Sequence, residues 1–178
     1  MYNKGEDNDG TCALFESDEF LNASEDKKKS YMKRGRELLA KKYRFTWNKN
    51  KTRESLQQGC HLMIWSDNDV ANDFTIKKHE DGEQFYPEAF LKCGIEMYRE
   101  YQRQLWEPEL SPMPEDDEFF QEYHAHTYGP IGIFLMDIRG NRITGDGKLQ
   151  SERPVVSQKQ WKDLGKHFSC MLKTCEVI

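Results

Sequence analysis

The sequence lacks most of the features by which common protein classes reveal themselves. Its five cysteines form no CxxC pair and their number is odd, so neither a zinc ribbon nor a disulfide framework is predicted. No apolar run reaches the roughly 18 residues that a membrane-spanning helix needs. The polar, acidic N-terminus predicts no signal peptide. We therefore expect a reducing compartment, with the cytoplasm as the default.

The sequence also lacks the excess of basic residues that is typical of nucleic-acid-binding proteins. Lysine and arginine total 26 against 31 acidic residues, for a net charge of −5, so a duplex nucleic-acid binder is not expected. The one basic stretch, Lys27–Arg44, is either the solvated face of a helix or a phosphate-binding patch. GxSxG, P-loop and GxGxxG motifs are absent. The 178 residues suit one domain.

Hydrophobic periodicity divides the chain into predicted elements. Residues 1–27 are expected to be an irregular acidic lead-in, before a domain that spans 28–178. The predicted helices are Lys28–Tyr43, Thr52–Gln58, Tyr86–Trp106 and Gln158–His167. The apolar segments that could be strands are Cys60–Trp65, Ile131–Ile138 and Cys170–Ile178. Alternation of this kind predicts an α/β fold, with a sheet covered by helices.

An acidic cluster follows the first apolar segment. Asp67 and Asp69 alternate with Asn68, and Asn72 and Asp73 lie close by. Ligands of α/β sheets sit at the carboxyl ends of strands, and carboxylate and amide oxygens suit divalent metal ions. The spacing is not that of an EF-hand. The cluster is therefore either a metal or phosphate site, or a helix N-cap or Asx-turn that holds no ligand.

Two further pairs of residues could carry chemistry. His124 and His126 would share one face of a strand, where both could ligate one metal or simply pack as polar side chains. Asp137 and Arg139 follow the second apolar segment. They form either an ion pair that orients the next loop or an arginine presented to a phosphate.

Three blocks together resemble PhoD-like (alkaline phosphatase D-like) metallophosphatases. "LMIWSDNDVANDF" resembles the family's Met-Ile-Trp-Asp-Asp-His-Asp/Glu block. "YRFTWNKNKTRESLQQ" resembles its lead-in helix. "YGPIGIFLMDIRGNR" with "VSQKQWKDL" resembles its strand ending in Leu-Asp-x-Arg and the helix after it. The blocks follow the family's order from Tyr43 to the end of the chain.

This resemblance implies a calcineurin-like sandwich of two sheets flanked by helices. It also implies hydrolysis of a phosphorylated small molecule or a phosphodiester by water activated on divalent metal ions such as Fe, Mn, Zn or Ca. Asp67 matches the family's metal-ligating aspartate and Asn68 its phosphate-contacting histidine. Asp69 is a further candidate ligand, and Arg139 a candidate phosphate contact.

The chain departs from the family pattern at two levels. Ser66 replaces an aspartate, and Asn68 replaces the histidine that could act as a general acid. The family's flanking metal blocks are missing, so the chain resembles the central part of a longer protein. Two alternatives follow, namely a catalytically degenerate relative that binds a phosphorylated ligand or a protein, and an interaction module that uses the acidic loop Pro108–Phe120.

Overall fold

The computed structural model describes residues 11–71, 86–107, 109, 122–140 and 155–175. The helices in these ranges are α1 (Thr11–Glu16), α2 (Asp18–Leu21), α3 (Glu25–Trp47), α4 (Asn50–Leu56), α5 (Glu88–Tyr101) and α6 (Gln158–Thr174). The strands are β1 (His124–Tyr128) and β2 (Ile131–Leu135), and short 3₁₀ turns occupy Asp67–Asp69 and Arg103–Leu105. None of the helices described is long and apolar enough to cross a membrane.

The chain divides into two compact units. The first contains Met1–Phe74 and Gln84–Ser111, and the second Thr75–Glu83 and Pro112–Ile178. The four helices predicted from periodicity are present, with ends shifted by up to seven residues. Pro108–Phe120, apart from residue 109, lies outside the described residues.

The core of the first unit forms where α3 and α5 pack together. Phe90 and Tyr98 of α5 are fully buried, as is Phe15 of α1. The ring of Phe15 lies against Gly35 of α3, where an added Cβ would meet the ring at 2.5 Å. The lead-in predicted to be irregular therefore supplies, from α1, part of the apolar core.

The second unit is built around an antiparallel hairpin that β1 and β2 form, with Tyr128 paired to Ile131. Gly129 has a φ of 57°, the positive value that a two-residue hairpin turn requires at its first position. One face of the hairpin packs on α6, because the Phe134 ring lies 5.7 Å from His167 and Gly132 faces Met171.

The predicted α/β class and calcineurin-like sandwich are both wrong for the described part of the chain, which is mostly helical with one two-stranded sheet. Cys60–Trp65 does not form a strand there. Its buried residue, Trp65, packs on the Tyr98 ring at 5.1 Å. An apolar run of this length does not distinguish a strand from an irregular segment that packs on a helix.

The third predicted apolar segment, Cys170–Ile178, begins instead as the last turn of α6. Met171 is buried, whereas Leu172 is 73% exposed. This contrast between neighbours is the pattern of an amphipathic helix that covers a hairpin, in which one stripe faces the core.

Candidate functional site

The acidic cluster forms a single 3₁₀ turn, Asp67–Asp69, in the first unit. Ser66 precedes it in an extended conformation with φ −109° and ψ 170°. Trp65 is 3% exposed and Val70 is fully buried, so the turn is anchored in the core on both sides. The sequence predicted an Asx-turn or helix cap as one of two possibilities, and the turn is of this local type.

Asp69 supports the turn from within. Its Oδ2 accepts a hydrogen bond from the Ser66 amide at 2.8 Å, as the third residue of a helical turn commonly does. Its Oδ1 accepts from Gln102 Nε2 at 2.7 Å and from the Tyr43 hydroxyl at 3.4 Å. The carboxylate therefore ties the turn to both α3 and the end of α5.

The burial of this network changes the proton affinity of its members. Desolvation raises the pKa of Asp69 above its usual range, although hydrogen bonds from Ser66 and Gln102 oppose the shift. Desolvation, reinforced by the Asp69 charge, also raises the pKa of Tyr43. Tyr43 thus stays protonated near neutral pH and acts as a donor to the carboxylate.

Asp67 and Asn68 occupy the outer part of the same turn. Asp67 is half-buried, and its Oδ1 accepts a hydrogen bond from Ser66 Oγ at 2.8 Å. Asn68 is exposed. A carboxylate can bind a cation and an exposed carboxamide can donate a hydrogen bond to an anion, whereas the carboxamide of Asn68 is not a general acid near neutral pH.

The second predicted pair, Asp137 and Arg139, lies in the other unit. Asp137 is 1% exposed, and its carboxylate accepts hydrogen bonds from three backbone amides. The donors are Glu122, Arg139 and Gly140, at 2.8–2.9 Å. The carboxylate of Asp137 thus binds backbone amides, including that of Arg139, whose side chain is half-buried. Both the ion pair and the phosphate-facing arginine stay predictions.

Gln160 of α6 completes this arrangement. It is fully buried, and its side-chain amide accepts from the Asp137 amide at 2.9 Å and donates to the Asp137 carbonyl at 2.8 Å. Sequence reasoning assigned no role to Gln160, Gln102 or Tyr43. Each acts on an aspartate that is 23 to 33 residues away along the chain, so no local pattern identifies them.

The predicted residues do not converge on one complete metal centre within the described ranges. Asn72 and Asp73 lie outside the described residues. Among the residues described, no group of three or more His, Cys, Asp or Glu side chains could hold a metal ion. Asp67 suits the role of one ligand, but the described residues do not by themselves fit a bimetal site.

His124 and His126 lie on β1, as the sequence predicted for a strand. Their rings are in contact, with Nδ1 of His124 2.6 Å from Nε2 of His126.

Comparison with known proteins leaves the resemblance to PhoD-like phosphatases as a hypothesis. No family model, no curated protein and no solved structure matches the chain.

Proposed function

We propose that this chain carries the central part of a PhoD-like, metal-dependent phosphoric ester hydrolase. The observation that supports the proposal is that different residues of the Asp67–Asp69 turn hold its structure and form its outer side. Asp69 and its partners hold the turn, while Asp67 and Asn68 occupy its outer side. These two residues stand at the positions that the resemblance assigns to metal and phosphate contact.

In this proposal Asp67 is the ligand from the described residues, and the other ligands come from outside them. Divalent ions in such a centre lower the pKa of an attacking water and stabilise the leaving oxygen. Asn68 donates a hydrogen bond to a phosphate oxygen. Because a carboxamide has no proton to transfer near neutral pH, the preferred substrates are esters whose leaving groups depart without an acid.

The first experiment measures hydrolysis of bis-p-nitrophenyl phosphate and p-nitrophenyl phosphate by the full chain with Mn²⁺, Fe²⁺, Zn²⁺ or Ca²⁺. We expect metal-dependent turnover that falls to background in Asp67→Asn. Asp18→Asn, at an exposed site on α2, is the matched control and should keep the activity. Lack of turnover with all four metals would exclude the hydrolase, and full activity in Asp67→Asn would exclude Asp67 as its metal ligand.

The second candidate is a catalytically degenerate relative that binds a phosphorylated ligand. Ser66 and Asn68 favour it, because both replace groups that the resemblance assigns to the reaction. Asn68→His separates the two candidates. General acid catalysis typically contributes about 10²- to 10⁴-fold, so in a working hydrolase the histidine should accelerate cleavage of alkyl phosphates but not of p-nitrophenyl esters. Phosphate binding without turnover, in both wild type and Asn68→His, would favour the binding module.

A further inference from the structure

The face of the hairpin opposite α6 carries a histidine pair. Side chains alternate along a strand, so Gly132 and Phe134, which contact α6, lie on one face of β2. Their neighbours across the sheet are Thr127 and Ala125. His124 and His126 therefore share the other face, and the Tyr128 ring stacks on that of His126 at 6.1 Å.

The two imidazoles meet through ring nitrogens. Nδ1 of His124 lies 2.6 Å from Nε2 of His126, and the ring planes are nearly perpendicular at 81°. In a neutral pair, one of these nitrogens carries a proton and donates it to the lone pair of the other. The two nitrogens thus point at a common position between them, now filled by a proton.

A metal ion could replace that proton with a small adjustment. Metal–nitrogen bonds of about 2.0–2.1 Å hold two nitrogens about 2.9 Å apart at a right angle and about 3.3 Å apart at the tetrahedral angle. The two nitrogens would need to separate by less than an ångström, and the rings to turn so that both lone pairs meet at the ion. His124 is 7% exposed and His126 is half-buried, so an ion would approach from the His126 side.

The environment favours the neutral form that binds metal. Burial lowers the pKa of His126 below its usual range, so that ring does not need to lose a proton near neutral pH. The ring that donates in the free pair must move its proton to its other nitrogen before its facing nitrogen can bind. The exchange therefore releases no net proton and leaves both imidazoles neutral.

We propose that His124 and His126 form a two-histidine site for a divalent transition-metal ion of the Zn²⁺, Ni²⁺ or Cu²⁺ class, for which imidazole is a preferred ligand. Among the described residues no group of three such ligands occurs, so the two histidines are the ligands that the described part of the chain supplies. The site involves only the second unit. It is independent of Asp67 and of the proposed hydrolase activity.

The experiment is a Zn²⁺ titration of the full chain labelled with ¹⁵N, followed through the histidine ring nitrogens. We expect saturable shifts of the facing nitrogens of His124 and His126, with a change of tautomer in one ring and one ion per chain. Zinc binding that leaves both rings unchanged would overturn the proposal, as would absence of saturable binding. The wild-type spectrum decides the question without any variant.

Two variants provide the matched comparison. Loss of an outer-shell partner alone weakens metal binding by about 10- to 100-fold, so loss of a ligand in His126→Asn should weaken Zn²⁺ binding at least as much. His167→Asn replaces an exposed histidine on α6 and should leave the affinity unchanged. Equal loss in the two variants, or none in a folded His126→Asn, would contradict the site.

Discussion

At the scale of single residues, two of the aspartates that sequence patterns single out, Asp69 and Asp137, both bind backbone amides. Asp69 accepts from the Ser66 amide, and Asp137 accepts from three amides. A buried carboxylate is costly unless its oxygens receive such bonds. The position of these residues after apolar segments therefore reflects turn formation at least as much as ligand binding, and Asp67 remains the better candidate for a ligand.

Replacing Asp69 tests this structural role. Asp69→Ala removes the acceptor for Ser66 and leaves Gln102 without its carboxylate partner, so we expect the free energy of unfolding to fall by about 1–3 kcal/mol. Urea unfolding followed by circular dichroism measures the change. Asn68→Ala, at an exposed position of the same turn, should cost less than about 0.5 kcal/mol. Equal losses of stability in the two variants would refute the structural role of Asp69.

The hydrogen bonds of Asp163 on α6 should make the stability of the protein depend on pH. Hydrogen bonds from Tyr123, at 2.5 Å, and from Lys159 and Lys166 lower the pKa of its carboxyl group. Because the folded-state pKa lies below the unfolded one, about 3.9, the carboxylate stabilises the fold above that pH. The contribution is lost as the pH falls through the folded-state pKa.

Asp163→Asn should therefore destabilise the protein at about pH 7 by less than about 1 kcal/mol, since the group lies near the surface. The difference from wild type should shrink in acid. Urea unfolding at several pH values checks this, with Asp26→Asn on the exposed face of α3 as the control for loss of one charge. A difference in the free energy of unfolding that grows toward low pH would contradict the predicted direction of the pH dependence.

At the scale of secondary-structure elements, glycines permit close packing around α5. A Cβ at Gly94 would lie 2.5 Å from Val70 Cγ1, and Val70 is fully buried directly after the Asp67–Asp69 turn. Because Gly94 has no side chain, Val70, which follows the candidate site, can pack closely against α5 in the core. By contrast, a Cβ at Gly165 of α6 would meet nothing within 4 Å.

We expect alanine to have opposite effects on stability at Gly94 and at Gly165. Gly94→Ala should lower the free energy of unfolding by about 1–3 kcal/mol through overpacking. Gly165→Ala should raise it by up to about 1 kcal/mol, because alanine is the better helix former. Denaturant unfolding of both variants measures the pair. Stabilisation by Gly94→Ala would mean that Val70 moves aside without cost.

At the scale of the whole molecule, the chain has two compact units, and each holds its aspartate through a buried glutamine or tyrosine. In the second unit Gln160 joins α6 to the segment after β2 by two hydrogen bonds to Asp137. Removing that side chain removes one hydrogen bond from a buried amide and one from a buried carbonyl, a defect confined to one unit.

Gln160→Ala should cost about 2–4 kcal/mol, and hydrogen exchange should locate the loss. We expect amide protection to decrease in 122–140 and 155–175, with much smaller changes in α3 and α5. Gln158→Ala, at the exposed start of α6, is the control and should change protection little. An equal decrease in α3 and α5 would show that the two units unfold as one cooperative structure.

The sequence by itself determined the helices α3 to α6 and the strand β2. Local periodicity specifies α3, α5 and α6, because a helix buries one stripe of its surface and the spacing of apolar residues records that stripe. The spacing of His124 and His126 places them on one face of any strand, although the sequence did not predict the strand β1 itself. These features depend on neighbours only a few positions apart.

Only the tertiary structure decided that Cys60–Trp65 is not a strand and that the last described segment ends as a helix. It also decided which groups the aspartates bind. Each depends on a partner distant in sequence. Trp65 packs on Tyr98, Gly132 faces Met171, and Asp69 is bound by Gln102. Apolar runs and acidic clusters indicate that a residue needs a partner or a ligand, but only the folded chain shows which one. For Trp65, Gly132 and Asp69 the partners are side chains of the same protein.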